Sequence, residues 1–179
     1  MNARSIRVFA SVLCLLALVA FAYVRLRPAA PSVLLELRLQ LVDGGTALLG
    51  PSPVVHSGEQ LRFEVKVSSP SEVFVLGLDE NGQVSLYVPS SGAATRVPAG
   101  ARTLLPDHIN VDGALGRERV LALACPQGTD VGGLVAEVQR ALTAADNHPE
   151  KVSALRTTCS RAWYPLTRAV QTAVKSPAP

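Results

Sequence analysis

Apolar and polar residues alternate along much of the chain after position 32. From Val33 to Leu41 every odd position is apolar, while Glu36, Arg38 and Gln40 are polar, the period-two signature of a strand with one buried face. Residues 43–58 hold glycines and prolines and read as turns around a short edge segment. Leu61 to Val67 alternates without a fault. Val73 to Leu78 is apolar on both faces, as a central strand is. Asp79-Glu80-Asn81-Gly82 predicts a hairpin turn, because Asn-Gly supplies the positive φ angles that a tight turn requires. Val84, Leu86 and Val88 then face one way, Ser85 and Tyr87 the other. Residues 89–101 read as a long polar loop, and short strands follow near Arg102–Leu105 and Arg119–Ala124. Roughly six to eight short antiparallel strands predict a mainly β domain, an Ig-like β-sandwich over residues 32–125.

The period changes after Cys125-Pro126. Val131, Leu134, Val135, Val138 and Leu142 recur at helical spacing behind Asp130, a suitable N-cap. A second helix is expected from Pro149, with Val152, Leu155, Cys159 and Ala162 on one face, kinked or ended by Pro165. Residues 126–174 are thus expected as a helical hairpin packed on the sandwich, with 175–179 as a tail.

The N-terminal stretch differs in kind. Val8 to Val24 is apolar apart from Ser11 and follows Arg4 and Arg7. A helix of that length spans about 25 Å, near the lower limit for a bilayer core of about 30 Å. One reading is an uncleaved transmembrane signal-anchor closed by Tyr23, Arg25 and Arg27. The other is a signal peptide cut between Ala22 and Tyr23, after the small residues Ala20 and Ala22. Residues 1–31 form the export segment and a short linker in both readings, the two prolines of the stretch from Arg27 to Ser32 marking the approach to the domain. A single-pass protein of a bacterial inner membrane with its domain in the periplasm is expected, or else a secreted periplasmic one. Cys14 lies within the apolar run. The remaining pair, Cys125 and Cys159, reads as a disulfide in an exported domain, closing a loop of about 35 residues for roughly 3.5–4 kcal/mol.

Charge removes one class of partner. The chain carries 17 Lys and Arg against 14 Asp and Glu. Four of the bases precede position 28, where there is no acid, so the domain itself is close to neutral. It lacks the basic footprint that phosphate binding needs, and no nucleic-acid partner is expected.

Candidate chemistry is sparse. Gly132-Gly133 lacks the lysine of a phosphate loop, and a calcium loop starting at Asp79 would have Ser90 where its glutamate belongs. His56, His108 and His148 lie in no nucleophile signature, and Asp107-His108 is an ordinary polar dipeptide. No metal site, cofactor or catalytic residue is expected, and the protein is read as a non-enzyme. Tyr87, Trp163 and Tyr164 are candidates for a glycan platform or for core packing in a chain with 4% aromatics. Arg140, Arg156, Arg161 and Arg168 read as a solvated face or as a docking surface for an acidic partner.

One stretch carries a resemblance. His56-Ser57-Gly58-Glu59-Gln60-Leu61-Arg62-Phe63-Glu64-Val65, then Val73–Asp79, then Gly82–Pro89, followed by Ala99-Gly100, Leu105-Pro106 and Gly116–Ala122, resembles an uncharacterised bacterial envelope family of unknown function. The resemblance spans about residues 54–125. It implies a β-rich domain and an envelope address, with association to serine/threonine kinases, caspase-like peptidases or anti-sigma regulators. Its matching positions are turn glycines and strand starts, so no active-site residues transfer. The expectation is an accessory or sensor module that meets a protein partner through an exposed sheet edge and the 89–101 loop. A periplasmic glycan- or peptidoglycan-binding protein using Tyr87, Trp163 and Tyr164 is the alternative.

Overall fold

The computed structural model describes residues 32–41, 43–113 and 115–169. The predicted export segment, with Val8, Val24, Ala22 and Tyr23, lies outside them. Among the described residues no helix is long and apolar enough to cross a membrane.

Among the described residues ten strands and one α-helix follow in order: β1 (Val33–Gln40), β2 (Thr46–Leu48), β3 (Val54–His56), β4 (Gln60–Val67), β5 (Ser71–Asp79), β6 (Val84–Val88), β7 (Thr95–Val97), β8 (Arg102–Asn110), β9 (Gly116–Cys125), α1 (Val131–Ala144) and β10 (Ser160–Ala169), with a 3₁₀ turn at Pro149–Lys151 before β10. One sheet has four strands in the order β2-β1-β4-β8. The other has six, in the order β3-β10-β9-β5-β6 with β7 also paired to β5. The inner faces of the two sheets enclose a core built from Leu35, Leu37, Leu61, Phe63, Val65, Val73, Val75, Val120, Ala122 and Leu166. On the far side of the six-stranded sheet a second core joins Phe74, Leu76, Leu78, Leu121 and Leu123 to Leu134, Val138 and Leu142 of α1. The six-stranded sheet is therefore buried on both faces, which is why β5 and β9 are apolar at odd and even positions alike.

Asp130 caps α1, its carboxylate accepting from the Gly132 and Gly133 amides at 3.2 and 3.0 Å. The Gln139 side chain donates to the Gly82 carbonyl at 2.8 Å, tying the helix to the β5–β6 hairpin. That hairpin turns through Gly82 at φ +84°, while Asn81 does not adopt a positive φ, so the glycine alone supplies the left-handed position.

Three expectations are corrected. There is no second C-terminal helix among the described residues. Val152 and Leu155 are buried beneath α1 from non-helical chain, and the segment continues into β10. The cause is the open edge of β9, along which Ser160–Arg168 pairs antiparallel over nine positions. Second, the fold is not wholly antiparallel, because β3 runs parallel to β10 through Val54–His56. Third, the expected loop at 89–101 is partly strand: β7 pairs with Ser71–Val73, and Val97 is buried.

Candidate functional site

Four strands bring polar side chains together at one end of the inter-sheet layer. Gly77 of β5, Tyr87 of β6, Glu118 of β9 and Arg168 of β10 occupy positions where the strand pattern otherwise places core residues. Glu118 is only 5% exposed. The Tyr87 hydroxyl donates to its Oε1. The Arg168 Nε donates to Oε2 at 2.6 Å, and the other arms of the guanidinium reach the Tyr87 oxygen at 2.7 Å and Asp112 Oδ1 at 2.8 Å. The Tyr87 ring stacks on Phe63 with centroids 6.0 Å apart, which fixes the hydroxyl in place. A side chain at Gly77 would collide with Glu118 Oε1 and the Tyr87 ring and hydroxyl. Asp79, Gln83, Ser85, Ile109, Asn110 and Asp112 complete the walls of a cleft of about 380 Å³ over this group.

The electrostatics follow from burial. Desolvation holds the Glu118 carboxyl above the usual carboxylate range, against the opposite pull of Tyr87 and Arg168. Burial and the neighbouring Glu118 carboxylate push the Tyr87 phenol upward, so it stays a donor. Burial disfavours the Arg168 charge, but Glu118, Tyr87 and Asp112 together hold its pKa above the ordinary value.

Cys125 and Cys159 are joined by a disulfide, with Cα atoms 4.3 Å apart. Their closeness follows from register: Ala124 faces Ser160, so the next pair outward is the two cysteines. The aromatic candidates are not assembled. Tyr87 and Tyr164 belong to the inter-sheet layer, while Trp163 packs on the α1 side of the same sheet. The Tyr164 hydroxyl shares its single proton between the carbonyls of Leu49, at 2.9 Å, and Gly50. The Arg119 guanidinium lies over the Trp163 ring, 4.2 Å from its centroid, and donates to the Pro149, Glu150 and Val152 carbonyls. The Tyr164 hydroxyl and the Arg119 guanidinium are thus spent on holding loops.

Residues 54–127 match the domain of unknown function DUF4384. An uncharacterised domain family is therefore present over nearly the stretch that carries the resemblance. The DUF4384 match runs from β3 to the turn after β9, so it includes Gly77, Tyr87 and Glu118 but not Arg168 or α1. No curated protein and no solved structure matches the chain.

The histidines lie on separate elements. His56 ends β3, His108 faces Arg62 across β8 and β4, and His148 lies 3.3 Å from Glu150 before the 3₁₀ turn. Asp107 receives hydrogen bonds from the Ser90 amide and hydroxyl. No group of three or more His, Cys, Asp or Glu that could hold a metal occurs among the described residues.

The outer face of the four-stranded sheet is a second distinct surface. Cross-strand register places Leu34, Glu36 and Arg38 of β1 beside Lys66, Glu64 and Arg62 of β4, with Arg102, Leu104 and His108 of β8 beyond. Arg38 pairs with Glu64, and Arg102 with Glu36. Among these charges Leu34, Leu48 and Leu104 are 48%, 55% and 40% exposed.

Sequence reasoning missed the cleft residues Gly77 and Glu118, and it read Arg168 as part of a solvated or docking face, whereas its side chain is only 15% exposed and pairs with Glu118 and Asp112. One signal existed: Glu118 interrupts the inward series that continues through Val120, Ala122 and Ala124.

Proposed function

We propose that the protein is a non-catalytic accessory or sensor module of the bacterial envelope, held at the inner membrane by residues 8–24, that acts through protein–protein contact in the periplasm. The observation that carries this reading is the outer face of the four-stranded sheet. An antiparallel sheet commonly leaves one face to water, and that face is then mostly polar. Here three exposed leucines stand among four bases and two acids. Exposed apolar groups rimmed by charge are the makeup of a contact surface. β8 lies at the edge of this sheet, so a partner strand has a row of backbone groups to meet. The Cys125–Cys159 disulfide supports the address, because such bonds persist in oxidising compartments.

Site-specific photo-crosslinking in living cells tests the reading. A photoreactive residue at Leu34, Leu48 or Leu104 is expected to trap one discrete partner. The same residue at exposed Ala144, on α1, is expected to trap none. Adducts at Ala144 alone, or none at the three leucine positions, would overturn the proposal.

A further inference from the structure

The cleft above Tyr87, Glu118 and Arg168 plays no part in contacts made by the outer sheet face. Its volume of about 380 Å³ falls within the range of small-molecule sites. Gly77 contributes to it by absence, since any side chain there would strike Glu118 and Tyr87. A buried ion pair seldom adds net stability over apolar side chains of the same volume, so the polar floor calls for another role.

The lining selects the ligand. The carboxylates of Asp79, Asp112 and Glu118 repel an anion. They offer little to a bare cation, because Arg168 already bridges Glu118 and Asp112, and Asp79 accepts from the Asn81 and Gln83 amides at 3.0 and 2.8 Å. Among the described residues neither the Ser85 hydroxyl nor the Gln83 side-chain amide has a hydrogen-bond partner. Both stand in the cleft wall, where each can donate and accept. Hydroxyl groups also do both: their hydrogens suit carboxylate oxygens, and their oxygens suit an amide or hydroxyl donor. A neutral ligand also avoids burying an uncompensated charge. Ile109 and the Tyr87 ring supply apolar wall for the carbon skeleton.

From this lining we infer that the cleft binds a small neutral polyhydroxylated ligand, a sugar residue, taken free or as part of a glycan chain. It is a different place from the dispersed rings of Trp163 and Tyr164.

The test is titration of the intact domain, followed by amide chemical shifts, with glucose, N-acetylglucosamine and chitotetraose, and with cadaverine and acetate as charged controls. Saturable shifts confined to Gly77, Gln83 and Ser85 are expected with at least one sugar. A tighter response to chitotetraose assigns a glycan chain, and an equal or tighter response to a monosaccharide assigns a free sugar. Ser85→Leu, which fills the cleft, is expected to weaken binding at least about tenfold. Gln83→Ala, on an exposed side chain, is expected to weaken it severalfold and covers the case in which Ser85→Leu fails to fold. No sugar-dependent shift at millimolar concentration, stronger shifts with cadaverine or acetate, or full binding by both variants would overturn the inference.

Discussion

Replacing Gly77 by alanine sets the cleft's geometry against ordinary backbone preference. Gly77 lies inside β5 without a positive φ, so local preference favours alanine by about 0.5–1 kcal/mol. The structure predicts the opposite sign. The new methyl group would meet Glu118 Oε1 and the Tyr87 ring, neither of which can retreat: Tyr87 is stacked on Phe63, and Glu118 is held by Arg168. Overpacking of this kind costs about 1–3 kcal/mol, and losing a hydrogen bond to the buried carboxylate adds about 1.5–3 kcal/mol. The net expectation is destabilisation by about 1.5–5.5 kcal/mol, or a Tm lower by about 5–16 °C. Urea unfolding with the disulfide intact measures it as a shift in midpoint at constant slope. Gly50→Ala, where nothing lies within 4 Å of the added carbon, is the control and should stay within about 0.5 kcal/mol of wild type. Combining Gly77→Ala with Tyr87→Phe should cost less than the sum of the two, because part of the clash is with the hydroxyl. A Gly77→Ala protein as stable as wild type, or more stable, would refute the packing described for the cleft.

Other expectations follow from the same architecture. Replacing Cys125 and Cys159 together by serine should lower stability by about 3.5–4 kcal/mol, read from denaturation without reductant, since the bond spans 34 positions. Burial raises the folded-state pKa of Glu118, so its contribution to stability is present at acid pH and is lost as pH rises through that value. The advantage of wild type over Glu118→Gln should therefore shrink as pH rises above the ordinary glutamate range in parallel unfolding curves, and an advantage that grows with pH would contradict the assignment. Arg119→Met should release the 3₁₀ turn, costing about 1–3 kcal/mol and speeding hydrogen exchange at Lys151 and Val152. Leu142→Ala should cost about 2–5 kcal/mol in the same unfolding assay, because Leu142 is fully buried between α1 and the sheet.

Much of the sandwich was legible because its strands obey period two. β1 and β4 alternate as half-buried strands, and β5 is apolar on both faces because helix and sheet cover it from opposite sides. The helix α1 was legible from its N-cap and its spacing. β10 was not, for two reasons. Trp163 and Tyr164 are adjacent large apolar residues that face opposite cores, which erases the alternation. Pro165 also argues against a strand between two neighbours. It is tolerated because the Thr167 amide, two residues on and pointing the same way, donates to Pro53, whereas β3 pairs only from Thr167 onward. At Pro165 no ladder bond is lost. The cleft was illegible for a different reason. Gly77, Tyr87, Glu118 and Arg168 come from four strands, and only the sheet order β10-β9-β5-β6 places them side by side. The disulfide needed no such order, because two cysteines outside the apolar N-terminal run leave one pairing.

The proposed function requires a domain that folds, disulfide-closed, outside the cytoplasm. The most direct measurement is the mass of the protein recovered from washed bacterial envelopes, unreduced and with free thiols alkylated. The account predicts a full-length chain with a single alkylated thiol at Cys14, and Cys125 and Cys159 unmodified. Alkylated Cys125 and Cys159 in protein from intact cells would contradict it.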